Sequence, residues 1–519
     1  MLLTFVCLCI TIVAIQLIER LALPRSGQRR LLRRVRLLAV MPVVVFFATV
    51  FMITYRPILS MVATIIAFSI VVVINNAKFR VLKEPLVYSD FSLLREAIRH
   101  PALYVRYIGV GKLTLCALAS IAAIALGISL EPPVVQRPDP DDYFPTLIYL
   151  AIVIGMIYAV TRGPLRPPLI KFLKQFGSTT DPRTDMDNLS LVACLVVYFF
   201  LAGQPSNPAK KKRKRTKTSH QTADVKPASP VLAAPPHPDL HRPDIVVVQA
   251  ESFFDVRRLN TAIPKTLLSH LDAICAESRF HGRLTVPAWG ANTMRTEFEF
   301  LSGLPNESLG YDKFNPYLSL AKRPVWTIAH TLRLLGYQTV CVHPFESAFF
   351  DRDIVFPNLG FDRFIDVREF DGAERFGPYV SDLAVAAKIE ALLGEAEAPL
   401  FVFAITMENH GKWEPGRLQE VVPDSAALSP LDLYLHHISN TDKVIAQLRE
   451  RLLAHPREAV FCLYGDHVPS LPVEFDRNGY SDERTDYFVW RRRGTPGQAF
   501  DTSADTLQRL VLQAALTPA

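Results

Sequence analysis

The chain has 519 residues, of which 50% are hydrophobic and 21% charged, with a formal net charge of +7 at pH 7. So much apolar material excludes a disordered chain, and the composition excludes collagen-like and coiled-coil classes. Seven cysteines, four of them (Cys7, Cys9, Cys116 and Cys194) in apolar runs, are too scattered for a disulfide framework or a Cys-rich zinc site.

Residues 1–203 are dominated by long apolar runs, and the mean hydropathy of +0.19 is high for a soluble chain. Candidate membrane spans are 2–18, 37–55, 58–74, 113–130, 144–161 and 189–203. A span needs about 20 apolar residues, which makes the last of these the weakest. The first run has no basic segment before it and is followed by Glu19 and Arg20, so it reads as an anchor and not a cleaved leader. Arg25, Arg29, Arg30, Arg33, Arg34 and Arg36 fill the first loop without an acid among them, and the loops around 78–106 and 162–174 are also basic. By the positive-inside rule these loops are cytoplasmic, and six spans would leave both termini outside.

Residues 204–243 form a linker rich in Pro, Ala, Ser and Lys. It contains six consecutive basic residues, Lys210 to Arg215. That run alone would prefer the cytoplasm, but long downstream domains translocate largely regardless of local charge.

Residues 244–519 read as an α/β domain. Expected strands are Asp244–Ala250, Gln338–His343, Leu400–Met407, Ala459–Tyr464 and Asp486–Trp490. They are continuous apolar runs, as in strands buried on both faces of a mostly parallel sheet. Helical stretches fall between them at Val325–Leu335, Ser381–Leu393 and Ser429–Leu453, the last two opening with a capping serine.

Ligands of open α/β sheets bind beyond the carboxyl ends of the strands. Glu251 follows the first expected strand, His343 ends the second, Asn409 and His410 follow the third, and Asp466 and His467 follow the fourth. Singly, each is an ordinary cap or surface residue. Jointly, they place metal-ligating and acid–base side chains at four strand ends. Gly290, Ala291 and Asn292 precede Thr293 at the start of another helical stretch, where backbone N–H groups favour an anion. A hydroxyl there suits attack on phosphate, although a threonine at that place also serves as a plain helix cap.

The ordered motifs are ESF at 251–253, G-x-N-T-x-x-T-E-F-E-x-L-S-G-L at 290–304, H-x(8)-R-D from His343, ENH at 408–410 and YGDH at 464–467. Together they resemble the membrane phosphoglycerol transferases, which include lipoteichoic acid synthases and the enzymes that decorate periplasmic glucans. That group lies within the sulfatase and alkaline phosphatase superfamily. The resemblance implies a multi-span helical membrane domain at 1–203, the linker, and a sulfatase-like catalytic domain at 244–519 with a mostly parallel central sheet. It implies a bacterial inner-membrane protein whose catalytic domain lies on the periplasmic side. It implies one divalent cation, Mn²⁺ with Mg²⁺ or Zn²⁺ as alternatives, held by Glu251, Thr293, Asp466 and His467. Thr293 matches the nucleophile, with Thr296 as a rival. His343, Phe350, Arg352 and His410 match the headgroup-contacting residues, Phe350 standing where the family has Trp. His343 and His410 are also the acid–base candidates. The implied reaction moves phosphoglycerol from phosphatidylglycerol to a glycan or polymer acceptor through a threonine-linked intermediate.

Phosphoethanolamine transfer and phosphodiester hydrolysis remain as alternatives. Sulfate-ester hydrolysis is disfavoured, because the nearest formylglycine-type sequence, CAESR from Cys275, has Glu277 where Pro or Ala is required. Trp289, Trp326 and Trp413 read as packing or rim aromatics, and His436 and His437 as surface residues of a helix. Basic residues concentrate in the membrane-flanking loops and the linker, so no nucleic-acid partner is expected.

Overall fold

The computed structural model describes residues 2–24, 33–101, 110–135, 143–203, 242–321 and 324–517. The linker expected at 204–243, with its basic run, lies almost wholly outside the described residues. The chain folds as two compact units, Met1–Gln204 with Gly310–Phe314, and Pro205–Leu309 with Asn315–Ala519.

In the first unit, the apolar runs form α1 (Leu2–Glu19), α2 (Arg33–Thr54), α3 (Pro57–Leu82), α4 (Val110–Leu130) and α5 (Phe144–Thr161). Four of these, α1, α2, α3 and α5, are long and apolar enough among the described residues to cross a membrane. Large side chains such as Phe5 and Leu147 are more than 60% exposed, as lipid-facing residues are. The run expected as a sixth span, 189–203, forms the short helix α7 (Leu191–Leu201), and a preceding helix outside that run, α6 (Pro182–Leu189), meets it at a bend of 119°. The 11 residues of α7 extend about 16 Å, half of a hydrocarbon core. In the last turns of α3, Lys78 is held by Glu84 and Asp90, both at 2.7 Å, and donates to the Pro85 carbonyl. The Lys83–Leu86 stretch thus closes a polar knot, and Asn75 Oδ1 accepts from Leu86 N–H there.

The second unit is built on an eight-stranded sheet. Its strands are β1 (Asp244–Ala250), β2 (Phe280–Thr285), β3 (Gln338–Val342), β4 (Arg363–Ile365), β7 (Leu400–Ile405), β8 (Ala459–Gly465), β9 (Thr485–Arg491) and β10 (Thr502–Ser503), in the order β10-β2-β9-β8-β1-β7-β3-β4. A separate hairpin pairs β5 (Arg375–Phe376) with β6 (Tyr379–Val380). Among the described strands of the large sheet, only the ladders made by β9 are antiparallel. The sheet is therefore mostly parallel, as the unbroken apolar runs imply. Alternation sends Val246 and Val248 to one face and Ile245 and Val247 to the other. The first face packs against α10 (Asp382–Glu395) and α11 (Pro430–Ala454), the second against α9 (Thr293–Ser302) and α12 (Ala504–Leu516). Each fully buried Leu or Phe contributes about 1.5–3 kcal/mol. Ser381 and Ser429 cap α10 and α11, accepting from Ala384 N–H and Asp432 N–H.

Candidate active site

Strands β1 and β8 run side by side, and their register ends on Ala250 opposite Gly465. The residues that follow, Glu251 and Asp466, therefore leave the sheet as neighbours. Gly465 is required there, since a Cβ would lie 1.8 Å from the Phe253 carbonyl oxygen. One ligand atom each from Glu251, Asp466 and His467 lies within 4.8 Å of the others, and all three residues are buried. His467 Nε2 is 3.3 Å from Asp466 Oδ2 and 3.6 Å from Glu251 Oε1.

Glu251 Oε1 accepts from the Ser252 hydroxyl at 2.7 Å and keeps a second lone pair. Asp466 Oδ1 accepts from the N–H groups of Ser252 and His467, both at 2.8 Å. Its Oδ2 is buried with no well-directed hydrogen-bond partner. A carbonyl only accepts, so the 3.0 Å contact of His467 Nδ1 with the Val468 carbonyl puts the proton on Nδ1. Nε2 is left with its lone pair. Burial pushes the Asp466 carboxyl up to about 7, and repulsion from Glu251 adds to the rise. Two buried carboxylates and an imidazole lone pair, with an orphaned oxygen between them, fit a divalent cation, and the mixed O/N donors suit Mn²⁺, Mg²⁺ or Zn²⁺.

Thr293 opens α9, reached through left-handed backbone at Gly290 (φ 70°) and Asn292 (φ 71°). It is only partly buried, and its hydroxyl acts on the Asp466 carboxyl. Thr296, the rival nucleophile, is fully buried and donates to the Asp466 carbonyl at 2.7 Å. Its hydroxyl is committed to holding the loop that carries the trio.

His343 and His410 share the arrangement of His467: Nδ1–H donates to a carbonyl, of Ile405 at 3.1 Å and of Gly411 at 2.9 Å. Burial, then the charge of Arg352, holds His343 well below 6.5, and burial takes His410 down to about 4. Both rings are neutral at pH 7. His410 responds to the charges of His467 and Asp466, and His343 to those of Arg352 and His410, so these side chains share one neighbourhood.

Arg352 is placed differently from an open anion receptor. Its guanidinium is 2% exposed and pairs with Glu297 Oε1 at 2.7 Å. Tyr317 donates its hydroxyl to Glu297 Oε2, and the Phe350 ring lies 5.3 Å from the guanidinium carbon. Glu297 stands one turn after Thr293 on α9, so this pair ties the Phe350–Arg352 stretch to the helix that carries Thr293. Phe350 (φ 61°) and Asp351 (φ 54°) are consecutive left-handed residues, a conformation L side chains adopt at a cost and one that clusters at functional sites.

Sequence reasoning misread His437. It is fully buried, not on the surface, and its Nδ1 donates to Glu408 Oε1 at 3.0 Å. Leu433, Tyr434, Ile438, Thr441 and Val444 bury the same stripe of α11. The helical period contained that signal. Glu408 and Asp382, also buried, were missed as well. Cys275 sits in α8 (Ser269–Glu277), and burial raises its thiol to about 12, so no reactive sulfur stands there.

The Sulfatase family model matches residues 243–513. The chain belongs to the sulfatase family. It is 31% identical over 477 residues to the capsular polysaccharide biosynthesis protein RkpI of Rhizobium meliloti, covering 90% of this chain and 83% of that one. The membrane protein EptA of Neisseria meningitidis, a lipooligosaccharide phosphoethanolamine transferase, has a TM-score of 0.50 at 13% identity over 97% of this chain and 95% of its own. That likeness covers both units and shows the fold: apolar N-terminal helices followed by an alkaline-phosphatase-like domain.

Proposed function

We propose that this sulfatase-family enzyme transfers phosphoglycerol from phosphatidylglycerol to a glycan hydroxyl at the outer face of the inner membrane. The reading rests on the Thr293 hydroxyl lying at a helix N-terminus against the buried Glu251–Asp466–His467 trio. The motif resemblance supports the glycerol headgroup. The similarity to a capsular polysaccharide biosynthesis protein supports a glycan acceptor.

Glu251, Asp466 and His467, with Thr293, would hold the cation, Mn²⁺ by the resemblance. A bound divalent cation lowers the pKa of an adjacent hydroxyl and screens phosphodiester charge. The Thr293 hydroxyl gives up its proton as its oxygen attacks phosphorus, the bond to the diacylglycerol oxygen breaks, and that oxygen takes up a proton in turn. An acceptor hydroxyl then attacks the threonine phosphodiester, loses its proton and restores Thr293. Neutral His410 and His343 present Nε2 as a proton acceptor for the second step. An anionic phosphodiester beside them raises their pKa and favours donation in the first. Arg352, neutralised by Glu297, shapes the headgroup side together with Phe350.

Phosphoethanolamine transfer would use the same atoms, and the full-length likeness to EptA is compatible with it. The test is full-length protein in liposomes with headgroup-labelled phosphatidylglycerol or phosphatidylethanolamine, plus a glycan acceptor. Diacylglycerol and labelled glycan from phosphatidylglycerol alone support the proposal. Label from phosphatidylethanolamine alone reassigns the donor. Protease protection in spheroplasts checks the side, and a catalytic unit cleaved only after lysis would reverse it.

A further inference from the structure

Behind the trio lies a second buried cluster that the proposed chemistry does not use. Glu408, in the tripeptide Glu408-Asn409-His410, is 0% exposed. Three donors converge on its carboxyl: His437 Nδ1 and Asn440 Nδ2 on Oε1, both at 3.0 Å, and Asp382 N–H on Oε2 at 2.7 Å. Asp382, 1% exposed, accepts from Thr441 Oγ1 at 3.2 Å and also interacts with the Thr406 hydroxyl. Burial raises both carboxyls, Glu408 to about 9 and Asp382 to about 7.

The cluster reaches the trio by two routes. Thr406 Oγ1 accepts from the Glu251 N–H at 3.1 Å, so Asp382 and Thr406 fix the backbone that carries this carboxylate. Asn409, the residue after Glu408, donates its Nδ2 to the Glu251 carbonyl at 3.1 Å, and Trp413 Nε1 fixes its Oδ1. The tripeptide is clamped from outside by Arg417, which donates to the carbonyls of Glu408 (2.9 Å) and His410 (2.7 Å). Two buried atoms, Asp382 Oδ1 and His437 Nε2, have no well-directed hydrogen-bond partner.

We propose that Glu408 is a positioning residue that, through Asp382–Thr406 on one side and Asn409 on the other, sets Glu251 for the cation and His410 for the phosphodiester. The inference rests on the metal-site reading above. It assigns a task to the Glu408–Asp382–His437 cluster, which touches no substrate. Such supporting shells change metal affinity by about 10- to 100-fold when removed.

The test uses the full-length protein in detergent, with Mn²⁺ alone as one probe and headgroup-labelled phosphatidylglycerol as the other. Glu408→Leu is expected to weaken Mn²⁺ binding by about 10- to 100-fold and to lower kcat, while KM for the lipid stays within about twofold. Thr406→Val, which cuts the link to the Glu251 N–H and leaves Glu408 in place, shifts Mn²⁺ affinity in the same direction by less. Glu408→Gln keeps an acceptor for His437 and Asn440, loses the one for Asp382 N–H, and falls between wild type and Glu408→Leu. The control is Asp442→Ala on α11, since Asp442 caps α8 through the N–H groups of His270 and Leu271. It lowers Tm and leaves Mn²⁺ affinity unchanged. If Glu408→Leu behaves like that control, losing Tm with wild-type Mn²⁺ affinity, the positioning role is overturned. Should Glu408→Leu not fold, wild-type Mn²⁺ affinity in both Glu408→Gln and Thr406→Val overturns it equally. Wild-type protein that binds Mn²⁺ yet releases no diacylglycerol sinks the transferase reading alone, because the ranking of metal affinities still decides this one.

Discussion

Two buried polar clusters flank helix α9 and use similar residue types, yet their states are opposite. In Glu251–Asp466–His467, three ligand atoms converge and Asp466 Oδ2 is orphaned. In Glu297–Arg352–Tyr317, the carboxylate receives both the guanidinium and the phenol, so the charge is neutralised on the spot. Burial and charge alone therefore do not mark a reactive centre. What sets the trio apart is that ligand atoms of two carboxylates and an imidazole converge within 4.8 Å, an arrangement a bound cation would satisfy.

The sharpest break of that contrast is at the nucleophile. Thr293→Ala is expected to lower turnover by about a thousandfold or more while the trio still binds Mn²⁺. Residual turnover near wild type would remove Thr293 from the chemistry. Next is Asp466→Asn. A ligand costs more than its supporting partners, so metal affinity should fall by more than about a hundredfold and activity with it; calorimetric titration with Mn²⁺ reads this directly. On the other cluster, Glu297→Gln leaves the Arg352 charge buried and uncompensated, a loss of about 3–5 kcal/mol in stability. An unchanged denaturation midpoint would show that Arg352 is not held by this pair. Thr296→Val removes one buried hydrogen bond and should cost about 1 kcal/mol while activity persists. A dead but folded Thr296→Val enzyme would restore that residue as rival nucleophile.

The smallest effect is in pH. Burial holds His437 neutral, with its pKa well below the ordinary 6.5. The unfolded chain takes up this proton near 6.5 and the folded chain does not. The contribution is therefore complete above that pH and is lost as pH falls below it. Urea midpoints between pH 7 and 5 should drop less steeply in His437→Asn than in wild type. Parallel slopes would contradict a neutral His437.

Five of the sheet's strands were legible as uninterrupted Val-, Ile- and Phe-rich runs because burial on both faces demands apolar side chains at every position. Strand β2, FHGRLT, was not, since it is only half-buried at most positions and carries polar residues. Of the bent α6–α7 pair only α7 was read, as a short span, because hydropathy picks out its apolar run and passes over the polar α6 before the turn at Ser190. Glu408 and Asp382 were invisible for a related reason: a carboxylate reads as surface until the partners that bury it are known.

The amino-acid order alone already contained the strand–helix alternation, the membrane-grade apolar runs and the placement of Glu251, His343, His410 and Asp466 at strand ends, because these depend on local periodicity and chain direction. Only the three-dimensional packing decided which carboxylates are neutralised and which are left open, which threonine hydroxyl faces the trio, and that Arg352 answers to Glu297. Those outcomes depend on partners more than 200 residues away in sequence, such as His467 with Glu251, and no local pattern encodes a distance of that kind.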